Sequence, residues 1–312
     1  TLMLELPILN EIHTSDLTGS CMRATAHRLL GESLTVVPTA MARGLIAGAT
    51  LEICHNNCIT EPDFVVEACK DALLNVRDSL SSEGRQFSDS VEANLEQIVL
   101  DVISMAGHYV ERFGGRLVCC AKLGTEVPIR MTVEHPMFDE PVEFASHLDA
   151  IFRDTEGVFG MGKDRLIVWD WKWRKDAPTG SYLHRNMQLG MYALACLKGA
   201  ICRNVQMDIW EMPCELPAVA WVHLPHLFPY KRKTVTKSGD GEETVFVKGD
   251  SRPEDRILQW VYHSHESLDT ITDDFAQRVH MMQMGMFPKT VSVQGCQTCT
   301  SEQWCSRYDL EN

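Results

Sequence analysis

Asp170 and Lys172 stand two residues apart in Leu166-Ile167-Val168-Trp169-Asp170-Trp171-Lys172-Trp173, an otherwise apolar run. Such a run reads as a buried strand, and side chains two apart on a strand share a face. An acid and an ammonium held together in apolar surroundings are unfavourable unless they act on each other or on a bound ion. By itself Asp-x-Lys fits a structural ion pair as well as a site. A third group changes the reading. Asp149 lies in Ser146-His147-Leu148-Asp149-Ala150-Ile151, on a strand expected over 142–152 and joined as a hairpin to the strand expected over 166–172. Asp149 with Asp170-x-Lys172 makes a compact oxygen-rich site for a divalent cation.

Further along, Gln188-Leu189-Gly190-Met191-Tyr192 falls in a helix expected over 182–198. Gln188 and Tyr192 are four apart and share a helix face. On a helix otherwise made of Leu189, Met191, Ala193, Leu194, Ala195 and Leu197, that polar pair faces a substrate near the site. The alternative for Tyr192 is an ordinary half-buried aromatic. The tail supplies a second pattern, Cys296, Cys299 and Cys305, spaced C-x2-C-x5-C. Three thiols at this spacing suit a metal, and a tetrahedral set needs a fourth, for which Cys21 is the candidate. Cys54 and Cys58 are one helical turn apart and offer metal ligands together with His55, the commoner reading being small apolar fillers, as for Cys69, Cys119, Cys120, Cys196, Cys202 and Cys214.

The order Asp149, Asp170-x-Lys172, Gln188-x-x-x-Tyr192 resembles the PD-(D/E)XK nuclease superfamily, and within it the RecB-like branch. Asp149 matches the acid of a Gly-x-x-Asp motif, with Ser146 in the glycine's place, and Glu134 falls where such nucleases often carry a glutamate on the preceding strand. One N-terminal cysteine with a C-terminal C-x2-C-x5-C is similar to the iron–sulfur staple of AddB-type subunits and CRISPR-associated RecB-like exonucleases. The resemblance implies an α/β, restriction-endonuclease-like core with a helical N-terminal part and a C-terminal Fe–S staple. It implies Mg²⁺ or Mn²⁺ held by Asp149, Asp170 and the Trp171 carbonyl, with Lys172 orienting the attacking water and Gln188 and Tyr192 positioning the strand. It implies a [4Fe–4S] cluster on Cys21, Cys296, Cys299 and Cys305, zinc being the alternative.

The activity implied is metal-dependent DNA hydrolysis, as an exonuclease on single-stranded DNA or DNA ends in recombination, repair or replication. A second reading is a catalytically weak or inactive nuclease fold kept for DNA binding or scaffolding. It draws on a departure: where the branch carries a histidine in an early helix, Arg43-Gly44-Leu45-Ile46-Ala47-Gly48 has Gly48. His55 and His108 are the candidate substitutes, and without a histidine Glu52 or a water completes the metal shell. Cleavage in the presence of a divalent metal separates the two readings.

These groups need a scaffold. The length of 312 residues fits one nuclease domain in three stretches. Residues 1–114 read as mainly helical, with helices over 16–29, 40–54, 62–80 and 89–113. Residues 115–250 read as the α/β core, with strands over 116–123, 129–134, 142–152, 166–172, 205–212 and 218–226, and a hairpin of 231–237 with 244–248 around Ser238-Gly239-Asp240-Gly241. Residues 251–312 read as one long helix from Pro253 to about Met284, followed by the cysteine tail.

The net charge of −14 argues against a broad DNA-binding surface. The acids concentrate in 51–101, whereas Lys163, Arg165, Lys172, Arg174, Lys175, His184 and Arg185 cluster in sequence around the proposed site, with Lys231, Arg232 and Lys233 as a second patch. A local basic groove suits transient contact with DNA rather than tight, sequence-specific duplex binding. Trp169, Trp171 and Trp173 read either as core or as stacking platforms for single-stranded bases. Twelve cysteines and an N-terminus that does not read as a cleavable leader point to a reducing intracellular compartment, the cytoplasm. No apolar run is long enough to span a bilayer, so no membrane partner is expected.

Overall fold

The alternation of apolar side chains along 121–172 and the helical spacing before it produce a sheet covered on both faces. The computed structural model describes residues 11–13, 35–173, 180–201, 214–227, 230–236, 242–248 and 253–284. The main sheet contains β1 (Glu11–His13), β4 (Ala121–Val133), β5 (Val142–Asp154), β6 (Arg165–Lys172), β7 (Ala218–His223) and β10 (Leu258–Val261). Its path is β1-β5-β6-β7-β10, with β4 pairing β5 as well. β4 runs antiparallel to β5 along nearly its whole length. A strand has two edges, so β1 and β6 must share the other edge of β5. β1 pairs Glu143 to Ala145 in parallel, and β6 pairs Ala150 to Asp154 antiparallel. Among the described residues the two ladders leave a gap along β5 between Ala145 and Ala150, and the sheet opens there.

One face of the sheet is covered by α1 (Thr39–Asn56), α2 (Val65–Ser82) and α4 (Leu95–Tyr109), whose buried Ile46, Leu51, Val76, Ile98, Val102 and Met105 form one core with Ile167, Trp169 and Trp171 of β6. Short α3 (Asp89–Glu92) precedes α4, and a π-turn over Val110–Gly114 leads into α5 (Gly115–Leu117). The small parallel pair β2 (Val36–Val37) and β3 (Gln86–Phe87) sits beside these helices in sequence. The other face is covered by α7 (Met187–Leu197) and α9 (His265–Gln283), which form a second core with Leu166, Val168 and Trp221. Gly190 sets their approach, because a Cβ there would stand 2.2 Å from the Ile271 Cδ1 atom. β8 (Tyr230–Thr236) and β9 (Glu242–Lys248) form a separate antiparallel ribbon, the expected hairpin.

Four expectations need correction. The strand expected over 116–123 is helical at first: Gly115–Leu117 closes the preceding helical stretch, Arg116 pairs with Glu254 at 2.9 Å and donates to the Val158 carbonyl, and the strand starts at Ala121. That strand then continues unbroken through the one expected over 129–134. The helix expected over 182–198 is two helices, α6 (Gly180–His184) and α7, because the Asn186 side chain accepts from the Leu189 N–H and caps the second. The single helix expected from Pro253 is α8 (Glu254–Ile257), then β10, then α9, which a Ser264–Ser267 capping box restarts. Leu258 to Val261 extend because the edge of β7 offers them a backbone ladder. The helix expected over 16–29, the strand over 205–212 and the cysteine tail lie outside the described residues.

Candidate active site

The period of two along β6 settles which side chains meet. Ile167, Trp169 and Trp171 join the core under α1 and α4, whereas Leu166 and Val168 join the core under α7 and α9. Asp170 and Lys172 therefore lie on the α7 side, and Gln188 and Tyr192 reach them from the first two turns of that helix. Asp170 is fully buried. Its Oδ1 atom accepts from the Lys172 Nζ at 2.6 Å and from the Gln188 Nε2 at 3.2 Å. Gln188 Nε2 also donates to the Tyr192 hydroxyl at 2.7 Å. The Asp170 Oδ2 atom is buried with no hydrogen-bond partner among the described residues.

Asp149 is placed by the opening in the sheet. The β5–β6 ladder ends at Ala150 with Trp169, and the Trp171 N–H donates instead to the Asp149 Oδ2 at 2.6 Å. A side-chain carboxylate thus takes the place of a backbone partner and brings the second acid to the first. Both acids are held above the ordinary carboxylate range. Burial raises Asp170 and Asp149 adds to the rise, so that despite the opposing Lys172 it is pushed up to about 7. Burial likewise raises Asp149, against the pull of Lys172 and the Trp171 N–H. Burial alone would lower Lys172, but Asp170 and Asp149 outweigh it and keep the ammonium charged. Burial and then the same two acids raise the Tyr192 hydroxyl, so it stays protonated.

One further carboxylate lies across from this pair. Glu126 on β4 sits between the Thr125–Ala150 and Val127–Leu148 pairs, directly across from Asp149, with φ at 47°. A left-handed conformation is uncommon for a residue with a side chain and clusters at functional sites. Glu126 is exposed as a residue, but partial burial of its carboxyl, then Asp149 and Glu52, push it up to about 8. Glu52, on α1, is raised by burial against the attraction of Lys122. The glutamate of the preceding strand that approaches the acids is therefore Glu126. Glu134 is exposed just beyond the Val133–Val142 pair, at the far end of the β4–β5 ladder. Gly124 was the legible signal for the irregularity, since a glycine inside a strand pattern marks a bulge, and the register of β4 shifts between Lys122 and Gly124.

Neither candidate histidine belongs to this group. His55 packs its ring 5.1 Å from Trp171 on the opposite face of β6, and its Nε2 lies 2.6 Å from the Tyr109 hydroxyl. Burial lowers it to about 3, so it is neutral. His108 lies on α4 beside Glu111. Trp169 and Trp171 are buried core, with Phe113, Phe152 and Phe159 edge-on to Trp169 at 5.1–5.3 Å. Of the basic residues, Lys163 and Arg165 are at the start of β6, the end away from Lys172, where Lys163 pairs with Glu156 at 3.7 Å. His184 and Arg185 are exposed at the end of α6, and Lys231 to Lys233 run along β8 of the separate ribbon. Arg174 and Lys175 lie outside the described residues, as do Cys21, Cys296, Cys299 and Cys305. The seven described cysteines are free, and no cluster of three or more metal-ligating side chains was found among the described residues.

The model of the PD-(D/E)XK nuclease superfamily matches residues 49–306, a span that includes Asp149, Asp170, Lys172, Gln188, Tyr192 and the three C-terminal cysteines. No curated protein matches the chain. Among solved structures, that of SSO0001 is similar at 12% identity, with 88% of this chain and 87% of that chain covered and a TM-score of 0.32. A superposition that loose assigns no residue.

Proposed function

This chain belongs to the PD-(D/E)XK nuclease superfamily, and from that premise we propose that Asp149, Asp170 and Lys172 are the catalytic centre of a divalent-metal-dependent deoxyribonuclease. The superfamily implies nuclease activity; the substrate and the residue roles are our reading. One observation carries it. Asp170 keeps one buried carboxylate oxygen without a partner while Lys172 and Gln188 hold the other. A buried acceptor left open costs about 1–3 kcal/mol or more when charged. Crowded carboxylates raise that cost, and a hard cation with oxygen ligands removes it. The donor set fits Mg²⁺ or Mn²⁺, held by Asp149, Asp170 and the carbonyl of Trp171. When bound, the ion supplies Lewis acidity toward a water and the scissile phosphate.

The protein's own groups do the rest. Lys172 stays charged and is fixed by Asp170, so its ammonium orients the attacking water and stabilises negative charge growing on the phosphoryl oxygens. Gln188 locks the Asp170 carboxylate and the Tyr192 hydroxyl into one network and so fixes the position of the strand beside the acids. Glu126, raised to about 8 and so largely protonated near neutral pH, stands across from Asp149 as a further carboxyl beside the acids.

The finer reading is a RecB-like exonuclease acting on single-stranded DNA or DNA ends, with Cys21, Cys296, Cys299 and Cys305 holding a [4Fe–4S] cluster. Four thiolates suit that cluster and also suit zinc, and iron analysis with an anaerobic visible spectrum distinguishes them. Seven free thiols among the described residues support a reducing compartment. No described helix is long and apolar enough to cross a membrane. The test of the activity is cleavage of end-labelled linear and of covalently closed single-stranded DNA with Mg²⁺ or Mn²⁺. Metal-dependent loss of the linear strand, abolished by Asp170→Asn, is expected. Cleavage by neither metal would leave the DNA-binding or scaffolding reading in its place.

A further inference from the structure

Trp221 of β7 stands in register with Asp170 on the neighbouring strand, on the same face of the sheet. It is buried, and the Lys172 ammonium lies 5.9 Å from its ring centroid. Against the same indole, edge-on at 6.5 Å and 88°, rests Tyr182 of α6. Leu183 anchors this short helix in the core, while the Tyr182 ring remains 46% exposed. A single exposed aromatic needs no explanation by itself; its position does. Among the described residues the other tyrosine exposed to this degree, Tyr262, follows Val261, which pairs with Val219 at the start of β7, and lies near Arg165 at the end of the sheet away from Lys172. Tyr182 alone of the two is linked through one buried ring to the reactive groups.

We propose that Tyr182 is a base-stacking residue that receives a nucleobase one or two nucleotides from the scissile phosphate. This rests on the nuclease reading above and deepens it by fixing the substrate as an unpaired strand. An aromatic ring held by a rigid neighbour offers a stacking surface at little entropic cost, and every base has a π-face to meet it. Bases inside a duplex are already stacked and paired, so only a single strand or a frayed end uses the site without paying for unstacking. Trp221 would transmit the position of that base to Lys172, because both the ammonium and the phenol contact its ring. Exposed His184 and Arg185 follow at the end of the same helix, suited to the neighbouring phosphates.

The test combines two substitutions with a substrate change. For a single-stranded oligonucleotide, Tyr182→Ala should raise KM about tenfold and leave kcat at saturation within about twofold, while Tyr182→Phe behaves as wild type. An abasic nucleotide at the stacked position should raise the KM of the unaltered protein by the same factor and erase the difference between it and Tyr182→Ala. Binding of 2-aminopurine oligonucleotides with Ca²⁺ in place of Mg²⁺ should quench the probe at that position in wild type and Tyr182→Phe only. An unchanged KM and quench in Tyr182→Ala, a Tyr182→Phe variant as weak as Tyr182→Ala, or indifference to abasic sites at every position near the end would each overturn the stacking role. Cleavage with those outcomes leaves the nuclease reading intact. Quenching that depends on Tyr182, in a protein that cleaves nothing, overturns the nuclease reading instead.

Discussion

On one face of β6, Trp169 and Trp171 sink into a cluster of His55, Tyr109, Phe113, Phe152 and Phe159. On the other, at the alternate positions of the same strand, Asp170 and Lys172 meet Asp149, Gln188 and Tyr192. The aromatic face packs against itself: its rings interlock at 5.1–6.4 Å and its histidine is neutral, although the Trp169 and Trp171 Nε1 atoms are buried with no hydrogen-bond partner among the described residues. The polar face does not, because it gathers like charges and leaves a carboxylate oxygen open. The difference teaches how the strand serves both needs. Rigidity comes from the side where packing is complete, and the proposed chemistry sits on the side where it is left incomplete.

If that division is right, the two faces should fail in different ways. The largest effect belongs to the polar face. Asp170→Asn or Lys172→Ala should lower metal-dependent cleavage by at least about a thousandfold, with the double change little worse than either single one. Thermal unfolding should stay close to wild type, since Asp170 is an acid that burial disfavours. An Asp170→Asn protein that cleaves normally would break the site assignment, and one that unfolds would break the division of labour.

Next comes the aromatic face. Trp169→Ala removes a fully buried indole from the middle of the cluster and should cost about 3–5 kcal/mol in denaturant unfolding. Where the variant still folds, its kcat should fall far less than that of Asp170→Asn. A stable Trp169→Ala protein with no activity would show that the indole is more than core.

Gln188→Ala should reduce cleavage by about 10- to 100-fold, because it frees the Asp170 carboxylate and the Tyr192 hydroxyl without removing either. Gln188→Glu, which keeps the shape but adds a charge beside Asp170, should be worse than Gln188→Ala. The reverse order would mean that Gln188 fills space rather than orients.

The smallest effect concerns pH. His55 is lowered to about 3 in the folded protein, below the roughly 6.5 of an unfolded chain. Between those values the unfolded state binds the extra proton, so stability is present above pH about 6.5 and is lost as pH falls toward 3. The melting temperature should therefore fall between pH 7 and pH 4, and His55→Gln should flatten that fall. An equal slope in both proteins would remove His55 from the account of acid sensitivity.

Much of the polar face was legible in the chain, for local reasons. Asp170 and Lys172 share a face because strand periodicity is two, and Gln188 and Tyr192 share one because helix periodicity is near four; neither relation needs tertiary information. The break at Asn186 and the restart at Ser264 were also written locally, as capping residues, but the apolar spacing of Ile257, Leu258, Val261, Leu268 and Ile271 fits a continuous helix just as well. Only the free edge of β7 decides that 258–261 are extended.

Sequence alone therefore determined the family, the acid-x-lysine strand, the polar helix pair and the β8–β9 hairpin, since each is a short-range pattern of residue type and spacing. The tertiary structure decided which groups complete the site. Glu126 reaches Asp149 only through the register of β4 on β5, twenty-three residues apart in the chain, and Asp149 reaches Trp171 only because β1 and β6 part along β5. Tyr182 meets Lys172 only through a tryptophan from another strand. These relations depend on where strands open, bulge and align, and that is set by the packing of the whole sheet rather than by any window of sequence.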